Sequence, residues 1–238
     1  MHHLRLAIGI LMSTAMPLLA QSRGEAATRG SERMAWFIQT GIPEGLANPV
    51  KVMISDKIEL VTLSNRLASG PVKIPEDGVI RLVRQIPDPA DPEKFAYLTL
   101  AEARIPETMN QALVILIPSA PDPSNHHLFK SKVQGLTNFK GGDSLYLNLT
   151  NVNMLIETGE RKTPLKPGQT TIYKGMADTG TVDVPFRYSY FHPTQEKWKV
   201  LSASVSIMSP TRREIVVFSV DANTNRLKCN SITFPVAN

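Results

Sequence analysis

Apolar residues along this chain recur at the spacing of extended strands. Val182, Val184, Phe186, Tyr188 and Tyr190 fall on one face of such a segment, and Asp183, Arg187 and Ser189 fall on the other. That alternation predicts a half-buried strand whose aromatics serve core and cross-strand packing. Gln111 to Ile117 differs in being continuously apolar, with β-branched Val114, Ile115 and Ile117, and predicts a strand buried on both faces. Further strand-length runs are Trp36 to Ile38, Val50 to Ile54, Lys57 to Leu63, Val79 to Val83, Phe95 to Ile105, Leu128 to Val133, Leu145 to Leu149, Val152 to Glu157, Gln169 to Lys174, Trp198 to Ile207, Glu214 to Val220 and Arg226 to Phe234. No segment sustains a helical period.

Turn chemistry separates the runs. Ser55-Asp56 and Glu76-Asp77-Gly78 mark two turns, and Thr150-Asn151 reads as closing a hairpin between Leu145–Leu149 and the strand after it. In Ile86-Pro87-Asp88-Pro89-Ala90-Asp91-Pro92-Glu93 the prolines remove backbone donors and push their predecessors toward extended geometry, so this is an exposed loop. Pro118 to Asn125 has similar composition and predicts a stiff linker. The fold class that follows is all-β, with two tandem antiparallel β-sandwich (immunoglobulin-like) domains over 35–118 and 126–238, joined by a Pro-rich linker at 119–125. A weak internal echo agrees with it. Lys51 to Ser64 lies over Tyr146 to Gly159, each reading strand, Ser/Thr-Asp/Asn turn, strand, although hairpin chemistry alone accounts for the match equally well.

The N-terminus breaks the pattern. His2, His3 and Arg5 form a weakly basic start, Leu6 to Met16 an apolar run, and Leu18-Leu19-Ala20 a small-residue cleavage signal. Residues 1–20 therefore read as a signal peptide and 21–34 as a polar, flexible leader. The apolar run is shorter than the roughly 20 residues needed to cross a bilayer. The expectation is an exported protein, periplasmic or extracellular, without a transmembrane segment after cleavage.

Composition narrows the function by exclusion. With 238 residues, 42% hydrophobic and 20% charged, the chain has globular composition. The net charge of +5 is spread over scattered Lys and Arg, which predicts a solubilising surface and no nucleic-acid partner. Cys229 stands alone, so no internal disulfide braces the fold.

Gly142-Asp143-Ser144-Leu145 resembles the nucleophile block of the Gly-Asp-Ser-Leu family of esterases and lipases. The resemblance implies an α/β domain, Ser144 as nucleophile and a late Asp-x-x-His block as its base. Here the string leads into a strand, and Ser189 occupies the position three before His192. A serine without a base is a poor nucleophile, so the string reads as coincidence. His126, His127 and His192 with one cysteine fall short of a copper set, and phosphate loops are missing; no metal and no cofactor is expected. Asn148-Leu149-Thr150 is a formal glycosylation sequon inside a predicted strand, and Asn148 reads as structural.

The function left standing is a non-enzymatic binding or structural protein acting through sandwich loops or edges on an envelope or extracellular partner, either a protein or an envelope polymer. Size and architecture are similar to those of pilus assembly chaperones, and a periplasmic chaperone-like protein using strand addition is the alternative. A hydrolase centred on Ser144 is the lesser one. Loops held by a rigid scaffold tend to carry binding residues. The candidates are Pro87, Asp88, Pro89, Asp91 and Pro92 in the Pro-rich loop, with Lys166, Pro167 and Gly168 in a later turn.

Overall fold

A computed structural model describes residues 32–91, 93–120, 125–175, 180–221 and 224–236. The expected signal peptide and most of the leader lie outside them. The first eight strands are β1 (Met34–Gln39), β2 (Val50–Ile54), β3 (Lys57–Val61), β4 (Val72–Lys73), β5 (Val79–Pro87), β6 (Phe95–Arg104), β7 (Gln111–Pro118) and β8 (Phe129–Gly135). The next eight are β9 (Ser144–Asn148), β10 (Met154–Thr158), β11 (Arg161–Leu165), β12 (Thr170–Tyr173), β13 (Val182–His192), β14 (Lys197–Met208), β15 (Arg212–Val220) and β16 (Leu227–Pro235). No helix occurs among the described residues.

The strands build two tandem β-sandwiches. Sheets ordered β4-β1-β7-β8 and β3-β2-β5-β6 form the first, and sheets ordered β12-β9-β15-β16 and β11-β10-β13-β14 form the second. Each strand thus has its counterpart eight strands later. Pairing repeats as well: β1–β7 and β9–β15 are parallel, while the other ladders are antiparallel. So does a β-bulge, which leaves Leu100 unopposed between Leu82 and Val83 of β5, and Leu201 unopposed between Tyr188 and Ser189 of β13.

The structural repeat runs in a different register from the one the sequence suggested. The hairpin matching β2–β3 is β10–β11, with Val50 facing Val61 as Met154 faces Leu165. β9 and β10 belong to different sheets, so Thr150-Asn151 carries the chain across the sandwich instead of closing a hairpin. Arg161–Leu165, to which the pattern assigns no strand, is β11. Its Pro164 is tolerated because β11 lies at a sheet edge, where a missing N–H breaks no ladder.

Three cores hold the molecule. Phe37, Val52, Leu82, Val114 and Phe129 fill the first sandwich, and Tyr146, Ile156, Tyr188, Val216 and Phe218 fill the second. Outward residues of the two parallel-pair sheets make the third: Ile38, Leu113 and Ile115 pack with Leu145, Leu147, Ile215 and Phe234. This seam explains the continuous apolar run of β7, whose Ala112, Val114 and Leu116 serve one core while Leu113 and Ile115 serve another. Each fully buried side chain of this kind contributes roughly 1.5–3 kcal/mol relative to exposure. After the Pro-rich segment the chain returns to the first sandwich as β8, paired with β7, and crosses to β9 through 136–143.

Candidate functional site: the open edge of β14

β14 has twelve residues, closes one end of its sheet and, among the described residues, pairs with β13 only. A long edge strand offers unpaired N–H and C=O groups to any other extended chain. The side chains of β14 are arranged against the usual pattern. Val184 and Tyr188 of β13 point into the second core, and the residues facing them across the ladder are Ser206 and Ser202. Those facing Asp183, Pro185 and Arg187 are Ile207, Val205 and Ala203, which therefore point away from the core. Trp198, Val200, Val205 and Ile207 are 47%, 59%, 56% and 53% exposed. Phe191 adds to the patch, its ring meeting that of Trp198 edge to face at 5.6 Å.

The first sandwich supplies the comparison. Aligned through the two bulges, Leu100 corresponds to Leu201, Tyr97 to Trp198, Glu102 to Ala203 and Arg104 to Val205. On β6 the positions matching Ala203 and Val205 are charged, with Glu102 held by Arg81 at 2.9 Å and by Arg104 at 3.0 Å, while Tyr97, which matches Trp198, is itself an exposed aromatic. That edge is also covered, since Leu128 N donates to Leu100 O at 2.8 Å and the Ser131 hydroxyl donates to Glu102 O. β16 is covered too: Thr233 N donates to Arg66 O at 2.9 Å. β14 has Ala203 and Val205 where β6 has charges, and among the described residues no strand other than β13 is hydrogen-bonded to it in a ladder, although β16 lies close to it as β8 does to β6. Lys197, Lys199 and Arg187 flank the patch, and none has an ion-pair partner among the described residues; Glu157, opposite Arg187, is taken by Lys162 at 3.1 Å.

The sequence-predicted binding residues sit elsewhere. Pro87, Asp88, Pro89 and Asp91 lie at the β5–β6 turn, and Pro92 lies outside the described residues. This turn satisfies itself, with Ala90 N donating to Asp88 Oδ1 at 2.9 Å and Lys94 paired with Asp91 at 2.9 Å. Lys166, Pro167 and Gly168 connect β11 to β12. Gly168 adopts φ +75°, the left-handed region that favours glycine. Its N–H donates to Asn148 O at 2.8 Å, and its carbonyl accepts from Lys132 Nζ of β8 at 2.6 Å. Burial pulls the Lys132 ammonium below its usual value. The two groups occupy different sandwiches, and no described hydrogen bond joins them.

Ser144 is 2% exposed at the start of β9. The small cavity beside it, about 10 Å³, is lined by Met208, Arg213 and Glu214 among others, and by no histidine. Asp143 of the same string accepts from Lys140 N at 2.8 Å, Lys174 Nζ at 2.8 Å and Gly175 N at 3.2 Å, and so ties two loops together. Gly141 is required by a close approach, because a Cβ there would lie 1.8 Å from Pro210 O.

Asn148 of the sequon is fully buried. Its Nδ2 donates to Val152 O at 2.8 Å and Leu165 O at 3.0 Å, and its Oδ1 accepts from Thr150 N at 3.0 Å and Thr150 Oγ1 at 2.6 Å. No cluster of three or more His, Cys, Asp or Glu that could hold a metal occurs among the described residues. Among them, too, no helix is long and apolar enough to cross a membrane. Comparison with protein-family models and with curated protein sequences finds no match for the chain.

Proposed function

We propose that this chain is an exported, non-enzymatic binding protein that captures an extended segment of a partner protein by strand addition to β14. The observation that carries the reading is the apolar outward face of an edge strand whose only ladder partner among the described residues is β13, with Ala203 and Val205 where the counterpart strand β6 carries Glu102 and Arg104. A strand laid antiparallel on β14 gains main-chain hydrogen bonds, and its alternate side chains meet Trp198, Val200, Val205 and Ile207. Lys197, Lys199 and Arg187 favour a segment whose polar positions are acidic. The buried Ser144 without a neighbouring histidine supports a non-catalytic role, and the N-terminal pattern of Arg5, Leu6–Met16 and Ala20 supports export.

The test uses synthetic peptides that match β14 in length and alternate valine with glutamate, read by the emission of Trp198 with Trp198→Phe as control. The expected result is saturable binding that a composition-matched peptide without alternation does not show. The double substitution Ala203→Glu/Val205→Arg, which recreates the charges of β6, weakens it at least about tenfold, the equivalent of about 1.4 kcal/mol. Equal binding by the double variant, or no binding by the alternating peptide, overturns the proposal. Concentration-dependent dimerisation abolished by the same substitutions also overturns it, by assigning the edge to a second copy of the chain.

A further inference from the structure

Hydrogen bonds on the far side of β13 fix which main-chain groups of β14 face the open edge. Gly159 N donates to Pro185 O at 2.8 Å and Phe191 N donates to Asn153 O at 2.9 Å, so Pro185 and Phe191 turn their main-chain groups toward β10. In an antiparallel ladder the N–H and C=O of one residue point to the same side, and successive residues alternate. Val205 and Trp198, which stand opposite Pro185 and Phe191, therefore point theirs away from β13, as do Ala203, Ile207 and Val200. Ser202, Ser204 and Ser206 direct theirs to β13. The residues that open the edge are thus the same ones whose side chains form its apolar face.

One of these groups is already taken. Arg212, the first residue of β15, donates from Nη2 to Ile207 O at 2.8 Å. The first sandwich has a matching contact, because the alignment through the two bulges sets Pro106 against Ile207, and Arg33 Nη2 donates to Pro106 O at 2.8 Å. Arg33 also engages Met109 O through Nε at 3.2 Å and Ile105 O at 3.5 Å, so its guanidinium is spent on backbone. Arg212 has no second side-chain hydrogen bond and no ion pair among the described residues. The acids around it are engaged elsewhere: Asp143 holds Lys174 at 2.8 Å, and Glu214 accepts from Ser206 Oγ at 3.1 Å. An exposed guanidinium with most of its five donors free therefore stands at one end of the edge.

We propose that Arg212 selects the segment that β14 captures, by taking a carboxylate from the residue that comes to lie beside Ile207. The inference rests on strand capture at β14 and names the residue that sets its specificity. With Ile207 O occupied, the ladder to an antiparallel segment ends at Val205, and the segment reaches the guanidinium with its N-terminal end. An aspartate or glutamate just ahead of the paired run accepts from the free donors of Arg212, whose planar fork matches a carboxylate. A lysine or arginine at that position meets a like charge instead. Arg212 thus fixes both where the captured strand starts and what it starts with.

The test titrates the full chain with peptides of alternating valine and glutamine that match β14 in length and carry a single glutamate at the N-terminal end, at the C-terminal end or nowhere. Trp198 emission reads affinity, and amide hydrogen exchange reads the register. The expected result is a gain of about threefold to fivefold for the N-terminal glutamate over glutamine, the range of an exposed ion pair, that fades near about 1 M salt. Arg212→Gln, which keeps a donor for Ile207 O and removes the charge, cancels this gain and leaves the other two peptides unchanged. The amides of Ala203 and Val205 gain protection on binding, while that of Ser204, already directed to β13, does not change. Equal affinity for N-terminal glutamate and glutamine overturns the proposal and leaves strand capture standing, and so does a gain that survives in Arg212→Gln. The comparison of peptides on the unaltered chain decides the matter even where Arg212→Gln fails to fold. Protection gained at Ser204 in place of Ala203 and Val205 overturns the edge assignment, and no binding by any of the peptides overturns strand capture together with this proposal.

Discussion

Asn148→Ala and Gln39→Met change two counterpart amides and should have opposite consequences for stability. Removing the Asn148 side chain takes the donor from Leu165 O and the acceptor from Thr150 N, both in the interior of the second sandwich. Val152 O is partly protected, since it keeps Thr150 Oγ1 as a donor at 3.2 Å. Two groups losing their partners at about 1–3 kcal/mol each, with a small cavity added, give a loss of about 3–5 kcal/mol. That is a large share of the roughly 5–15 kcal/mol typical of a folded domain. Gln39→Met breaks no hydrogen bond at Oε1 and conserves volume, so its cost is within about 1 kcal/mol. Guanidinium unfolding of the full chain reads both as midpoint shifts at constant slope. A loss below about 1 kcal/mol for Asn148→Ala, or an equal loss for both variants, refutes the reasoning that the amide clasp is satisfied in one sandwich and idle in the other.

Three further outcomes are expected. Burial holds the Tyr146 and Tyr188 phenols and the Cys229 thiol above their usual values, so the folded chain keeps protons that the unfolded chain releases. Their contribution is fully present below about pH 9, where all three are protonated in either state, and is lost as pH rises through the folded values. Arg213, pulled down to about 10 by burial, opposes this with one group only. Thermal midpoints should therefore fall above about pH 9, less steeply in Tyr188→Phe, and a profile flat to about pH 11 contradicts the assignment. Gly141→Ala should cost about 3 kcal/mol by denaturant titration, because its methyl meets backbone at Pro210 that cannot swing aside. Ala203→Glu/Val205→Arg should change stability by no more than about 0.5 kcal/mol, both positions being exposed, so any loss of peptide binding reflects the surface and not the fold.

Much of the architecture is legible in the sequence because burial leaves a period. The alternation from Val182 to Tyr190 marks a half-buried strand, and Val184 and Tyr188 do line the second core. The unbroken run from Ala112 to Leu116 marks burial on two faces, which the seam provides. The open edge is not legible for the same reason. Ala203, Val205 and Ile207 carry the period of a core-facing strand, and nothing local says that serines take the inward positions or that Val200 joins the outward face; that follows from register against β13 and the bulge at Leu201. The stretch around Thr150 has turn residues whether the chain closes a hairpin or crosses between sheets, so the pattern cannot distinguish the two. Gln39 and Asn148 look like ordinary strand polar residues until their ladders place them at equivalent sites.

The seam between the sandwiches bears on how such a chain can be divided. Cut between β8 and β9, each half would display a sheet face bearing Ile38, Leu113 and Ile115, or Leu145, Ile215 and Val217, to water. Two free halves would have to find each other at ordinary solution concentrations, whereas one continuous polypeptide holds the complementary faces at an effective concentration in the millimolar range. Covalent linkage through residues 136–143 therefore converts a bimolecular association into an intramolecular one. A lone module would be driven to cover its exposed sheet with another copy of itself.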